Sequence, residues 1–388
     1  MPLAFIRNFF KLEATSGIFL LVAAVIALII DNSPWHNHYQ AIIHAPISIN
    51  STYLQLSMPL VEWINQGLMA IFFLLVGMEI KREIFLGEMN SWRKIALPIM
   101  AALGGMIIPT LIYLGFNWHN PAVLRGWAIP TATDIAFSLG ILSLLHNRIL
   151  FSMKIFLTAL AIFDDIGAII IIAIFYTSKI YWVYLSFGLI SLLILVLLNH
   201  FQIKKLTPYL LIGIILWYLM LRSGVHAVLA GVLLAFTIPL HSKDHDHASP
   251  LQILEKKLHP WVAFLILPVF GLTNAGVSFS GISWQYWFNS VTLGVTLGLL
   301  IGKQLGVFGA TWLAVKMKLV SLPEKATWKH IYGIALLCGV GFTMSLFIGS
   351  LAFPENSSNL AAARVGIFCG SLFSGLLGYL VLRSPSKA

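Results

Sequence analysis

The sequence predicts an all-α polytopic membrane protein with twelve transmembrane helices, inverted-topology repeats and two interrupted helices crossing at the midplane. Three observations predict it. Charged residues are only 10% of the 388 and apolar residues 59%, whereas a soluble globule carries about 25% charge. A water-facing surface cannot be built from so little polar material, which excludes a soluble enzyme, a disordered chain and a disulfide scaffold. Apolar runs long enough to cross a hydrocarbon core of about 30 Å, at about 20 residues each, recur along the whole chain. Two of these runs are broken at matching places in the two halves.

The runs fall near 12–30, 59–80, 95–116, 121–145, 150–175, 180–199, 206–221, 224–240, 257–276, 290–315, 329–350 and 358–382. The first follows Arg7 and Lys11. Glu13 interrupts that basic stretch and Asp31-Asn32-Ser33-Pro34 offers no small-residue cleavage site, so it reads as a retained helix rather than a signal peptide. The seventh and eighth runs are short and separated only by Arg222-Ser223-Gly224. Numbering the sides alternately from inside places 19 of the 24 Lys and Arg in one set of loops. Arg125, Lys179, Arg222 and Arg364 fall on the other side, and Lys303 lies inside a run. Such asymmetry marks cytoplasmic loops. It puts both termini in the cytoplasm and accounts for the net charge of +10 without a nucleic-acid partner.

Two loops have character. Residues 44–57 alternate apolar and polar around Asn50-Ser51, the pattern of a short external β-hairpin. A lone hairpin is marginal in water, so a second protomer is its expected partner. Residues 241–247, with three histidines and two aspartates, read as a solvated cytoplasmic loop, because no helix or strand fixes ligand geometry there. Cys338 and Cys369 lie in apolar runs without metal-ligand spacing and read as buried free thiols.

Charges inside a span are costly and usually functional. Of the 14 acids, three lie deep in runs: Asp134, Asp164 and Asp165. Lys303 is the one deep base. At about 1.5 Å per residue, Lys303 lies about 18 Å from either end of its run and Asp164 about 15–18 Å from either end of its own. Asp134 sits at a similar depth. Adjacent helical residues point about 100° apart, so Asp164 and Asp165 divide their labour. One faces a water-filled cavity and a cation, and the other faces a neighbouring helix, with Lys303 its natural partner. Hard oxygen ligands without His or Cys suit Na⁺ or Li⁺ better than a transition metal. Desolvation and like charge raise carboxylate pKa values, so the pair can hold protons near neutral pH and exchange them for a cation.

Asp134 lies in Ala128-Ile129-Pro130-Thr131-Ala132-Thr133-Asp134, where proline removes a backbone donor and the threonine hydroxyls compete with the helical ladder. In the second half Cys338-Gly339-Val340-Gly341-Phe342-Thr343-Met344 places two glycines and a threonine mid-run. Paired breaks point to inverted repeats around a midplane site. Half-helix ends meeting there carry uncompensated partial charge. Asp134 is expected to neutralise the N-terminal ends and Lys303 the C-terminal ends, with Gly341 and Thr343 shaping the crossing. At the cytoplasmic mouth, Glu79, Lys81, Arg82, Glu83, Glu255 and His259 form either ordinary loop charge or an electrostatic funnel whose charge depends on pH. His226 opens the eighth run on the outer side and is either a helix-end polar group or a pH-responsive one.

These segments resemble the NhaA-type sodium/proton antiporters of bacterial inner membranes. The resemblance covers essentially the whole chain, through Val76–Glu83, Thr131–Ala136, Phe163–Ile170, Ser223–Gly231, His259–Val277, Gly302–Gly306 and Cys338–Ile348. The family's second histidine beside the loop glutamate appears here as Lys256. The resemblance implies that Asp164 and Asp165 bind Na⁺ or Li⁺ and carry the exchanged protons. Lys303 would pair with Asp164 when the cation is absent, and Thr133 and Asp134 would assist the cation and shape the crossing. Glu79, Arg82, Glu83, Glu255, His226 and His259 would tune activation at alkaline pH. It further implies a homodimer in the lipid bilayer of a bacterial inner membrane, serving sodium and pH homeostasis. The substrates would be Na⁺, Li⁺ and H⁺, and no cofactor is expected.

Two other readings stay open on sequence. An intramembrane aspartyl protease would use Asp134 and Asp164 as a proton-sharing dyad, but it leaves Asp165 and Lys303 unexplained and lacks a Gly-x-Gly-Asp motif. A sodium/organic-anion symporter on the same fold would want a wider cavity with fewer buried acids.

Overall fold

The computed structural model describes residues 3–50, 55–86, 92–145, 149–177, 179–240, 249–278, 287–354 and 357–384. Helix dominates. Each of the twelve apolar runs contains helix, and the two breaks fall where the sequence places them. Seven helices are long and apolar enough to cross a membrane among the described residues, and three sharply bent pairs raise that to ten. Val228–Thr237 is only ten residues long. The helical stretch 250–274 opens with a polar capping box, in which Ser249 accepts from the Gln252 amide and Gln252 answers from its side chain.

The chain divides into two compact units that interleave in sequence. The first comprises residues 1–33, 88–168 and 274–388. In it Trp92–Asn117 packs along Ser290–Lys316, and Leu3–Asp31 packs on Ile135–Leu144. Its core is an aliphatic cluster including Leu142, Leu157, Val307, Ile334 and Leu337. Glycines let the first pair of helices approach closely: a Cβ on Gly306 would collide with the Gly104 carbonyl.

The second unit comprises residues 34–87 and 169–273. Leu60–Leu86 packs on Val228–Thr237, and Trp182–His200 on Leu206–Ser223. Gly224 ends the last of these at φ 84°, a left-handed turn that suits glycine because a Cβ is costly there. This explains the Arg222-Ser223-Gly224 break. An antiparallel pair, β1 (Pro46–Asn50) and β2 (Gln55–Pro59), has Ser48 opposite Ser57, and Trp63 donates its indole N–H to the Ile47 carbonyl at 3.1 Å.

Three features were not read from the sequence. A separate short helix, His36–Ile43, follows the first apolar run. Single π-turns interrupt helices at Ile64–Leu68, Val262–Ile266 and Gly298–Gly302. Cys338 is buried as expected, but Cys369 is only half-buried; both are free. The 241–247 loop lies outside the described residues.

Candidate functional site

The two broken helices meet in the first unit. Pro121–Thr131 turns by 42° into Ile135–Leu144, and Trp328–Leu337 turns by 43° into Phe342–Ala352. The non-helical linkers at the breaks touch: the Asp134 amide donates to the Val340 carbonyl at 2.7 Å. Gly341 is required by this approach, since a Cβ there would strike Ser345 Oγ and come within 3.0 Å of the Ala132 carbonyl.

Asp134 stands at the head of Ile135–Leu144. Its Oδ1 accepts from the Phe137 amide at 2.9 Å, and its Oδ2 accepts from both the Thr343 amide at 3.0 Å and the Thr343 hydroxyl at 2.6 Å. One carboxylate thus serves the N-termini of two half-helices, where exposed N–H groups concentrate positive potential. Ser371, on Ser358–Arg383, accepts from the Gly341 and Phe342 amides at 3.2 and 3.3 Å. The opposite, carbonyl-bearing ends are met by hydroxyls. Ser138 donates to the Leu337 carbonyl at 2.9 Å and Ser345 to that of Ile129 at 2.7 Å.

Lys303 follows the π-turn Gly298–Gly302 directly. Its aliphatic stem passes beside Gly105, where an added Cβ would strike Val307 Cγ2 at 2.8 Å and lie 3.6 Å from the lysine. The ammonium donates to Asp164 Oδ2 at 2.5 Å and to Thr133 Oγ1 at 3.0 Å. Lys303 and Thr133 are 0% exposed and Asp164 and Asp165 1% each. The Lys303 charge is therefore spent on Asp164 and Thr133, while the half-helix carbonyls take hydroxyl donors. Thr133 Oγ1 lies 2.6 Å from Asp164 Oδ2 and 2.8 Å from the Cys338 carbonyl. A hydroxyl carries a single proton, so it donates to one of these acceptors at a time. Asp164 Oδ1 is buried without a hydrogen-bond partner among the described residues. The structure thus brings Thr133, Asp164 and Lys303 into one hydrogen-bonded cluster, with Asp165 beside it on the same helix and Asp134, Gly341 and Thr343 at the adjoining crossing.

This geometry does not suit a protease dyad. Such a dyad needs two carboxylates sharing a proton, whereas here Asp164 is ion-paired to Lys303 and Asp134 is committed to two helix starts.

The expected pH-responsive residues all lie in the second unit. Arg82 Nε donates to Glu255 Oε1 at 2.9 Å and Oε2 at 3.1 Å, and the guanidinium also reaches Glu83 Oε1 at 2.5 Å. Glu79 adds a third carboxylate within electrostatic reach, and His259 sits one turn beyond Glu255, acting on it electrostatically. Burial pushes the Glu255 carboxyl above the usual carboxylate range, and the Arg82 guanidinium opposes that rise. His226 is not brought to this cluster. It precedes Val228–Thr237, whereas Lys81, next to Arg82, donates at the far end of that helix to the Phe236 and Ile238 carbonyls at 2.7 and 2.6 Å.

Sequence reasoning overlooked Ser138, Ser345, Ser371 and Gly105, and the carbonyl-binding role of Lys81. Hydroxyls within apolar runs beside a break were the available signal. Their partners lie as many as 216 residues away, beyond any local pattern.

The sequence profile of the family described as Na⁺/H⁺ antiporter 1 matches residues 7–382. The chain is 54% identical over 381 residues to Na(+)/H(+) antiporter NhaA 2 of Pseudomonas savastanoi, covering 98% of this chain and 95% of that protein. It is 53% identical to Na(+)/H(+) antiporter NhaA of Rhodospirillum rubrum over 391 residues, covering 99% and 98%. Among solved structures, the sodium proton antiporter MjNhaP1 from Methanocaldococcus jannaschii at pH 8 aligns over 98% of this chain and 97% of its own, with a TM-score of 0.56 at 16% identity, a likeness of fold. A profile match over nearly the full length and relatives at half identity agree with the buried charge cluster at two broken helices, and the chain belongs to the Na⁺/H⁺ antiporter 1 family.

Proposed function

We propose that the chain is an electrogenic secondary transporter that exchanges intracellular Na⁺ or Li⁺ for external H⁺ by alternating access and is activated at alkaline pH. The observation that carries this reading is the buried Lys303–Asp164 ion pair with Thr133 bridging it. Two charges in a dry interior are costly even when paired. A cation arriving at Asp164 and Asp165 would replace the ammonium as countercharge. Thr133 would then turn its proton to the Cys338 carbonyl and offer its lone pairs to the ion. Protons entering from the other side would neutralise both carboxylates and release the cation, and Lys303 would pair with Asp164 again once those protons leave to the cytoplasm.

Two protons exchanged for one Na⁺ would move one net charge inward, so membrane potential would drive the cycle at about 2.3 kcal/mol per 100 mV. Asp134 holds the crossing together while the neighbouring charge changes, and Gly341 and Thr343 shape it. Arg82, Glu255, Glu79, Glu83 and His259 would tune activation, with His226 acting separately on the outer side. The same reading takes the chain as one transporter domain of twelve crossings with inverted repeats. Both termini would be cytoplasmic in a bacterial inner membrane, and the hairpin would join two protomers. No cofactor enters the cycle.

The test is Na⁺-dependent proton flux in reconstituted vesicles. Asp165→Asn is expected to abolish it while the protein remains folded, and retained flux overturns the site. A potential clamped with valinomycin and K⁺ is expected to alter the rate, and an unchanged rate overturns electrogenicity.

A further inference from the structure

The second unit contains an elongated apolar groove of about 710 Å³, bounded by the helical stretches at 60–74, 210–217, 230–234 and 254–258. From Leu60 to Leu74 it follows one helix for about 21 Å at 1.5 Å per residue. One leaflet of hydrocarbon is about 15 Å deep, half of a core of about 30 Å. Its lining is aliphatic and aromatic with glycines. Trp217, at one end near Trp63, has its indole N–H committed to the Gln66 carbonyl at 2.7 Å. Water in such a slot would lack the two to four polar partners that hold it in protein interiors. Nor is the groove sealed: Ile214 lines it and is 63% exposed, beside Leu211 at 59% and Ile215 at 52%. Its mouth opens onto the apolar outer face of a helix apolar enough to span the membrane.

We infer that this groove is a binding site for one extended acyl chain of a membrane phospholipid. Length selects a chain over a compact apolar molecule, and the opening toward hydrocarbon supplies the route in. Gly67 lines the slot. A Cβ there meets only Trp217, at 3.9 Å, so a larger side chain would project into the groove without striking backbone.

The experiment reconstitutes the full chain in phosphatidylethanolamine/phosphatidylglycerol vesicles containing a phosphatidylglycerol with a diazirine midway along one acyl chain. After illumination, adducts are mapped by peptide mass spectrometry. The Trp182–His200 helix, with Val183 66% and Leu193 58% exposed, reports bulk-lipid labelling. Adducts at Leu74 and Ile214 are expected to fall at least fivefold in Gly67→Phe while labelling of that reporter helix is unchanged. Ala230→Leu plugs the slot from another wall should Gly67→Phe fail to assemble. Any of three results overturns the proposal: groove residues unlabelled while the reporter helix is labelled, groove labelling insensitive to both plugs, or groove adducts formed with a second copy of the chain instead of lipid.

Discussion

Asp134 and Thr343, 209 residues apart, are joined twice through a single carboxylate oxygen, by the Thr343 amide and by its hydroxyl. The other oxygen caps the helix that Asp134 itself begins. One charge therefore stabilises two half-helices from different parts of the chain. Loss of an N-cap costs about 1 kcal/mol. Asp134→Ala is expected to lower the thermal midpoint of the purified protein more than Thr343→Ala, which removes the hydroxyl but leaves the backbone bond. Equal effects would show that the carboxylate does not act on both ends.

Lys303→Met leaves Asp164 as a buried charge without its ion-pair partner, a loss of about 3–5 kcal/mol in comparable buried pairs. The double variant Lys303→Met with Asp164→Asn removes both charges. It is expected to regain most of the thermal stability and none of the Na⁺-dependent flux. If the double variant is as unstable as the single one, the ion pair is not the source of the loss.

Thr133 touches Lys303, Asp164 and the Cys338 carbonyl through one oxygen. A hydrogen bond to a charged group is worth about 1.5–3 kcal/mol. Thr133→Ala is therefore expected to raise the KM for Na⁺ by about tenfold or more, with Thr133→Ser close to the parent. A KM in Thr133→Ala equal to that of the parent would remove the hydroxyl from the ion's coordination.

The Glu255 carboxyl is raised by burial and opposed by Arg82. A raised folded-state value means that the folded protein holds this proton more tightly than the unfolded chain does. Its contribution to stability is therefore present at acid pH and fades as pH climbs through the raised value. Alkaline pH thus strains the Arg82–Glu255 region at the time it completes the charge pair. Glu255→Gln fixes the uncharged form and is expected to move the flux-against-pH midpoint to higher pH by about one unit, with little change in the maximal rate reached at alkaline pH. An unmoved midpoint would dissociate this cluster from activation.

How much of this was legible in the sequence varies with the range of the interaction. The scarcity of charge, the apolar runs and the asymmetry of Lys and Arg are properties of single segments against a bilayer, and they determined a polytopic helical membrane protein. The breaks at Pro130 and at Gly339 and Gly341 were legible too, because proline and glycine act on the local backbone. The depth of Asp134, Asp164, Asp165 and Lys303 followed from counting residues along helices.

Tertiary structure alone decided who meets whom. Lys303 meets Asp164 in a packing where Gly104 and Gly306 let two helices close in and the π-turn at Gly298–Gly302 precedes the lysine. The half-helix carbonyls fall to Ser138 and Ser345 rather than to that lysine, and His226 lies a helix length from the Arg82–Glu255 pair. Local sequence sets what a residue is and how deep it lies. Partners on helices far apart in the chain are set by packing, where a missing Cβ or one wide helical turn decides which polar groups come within reach.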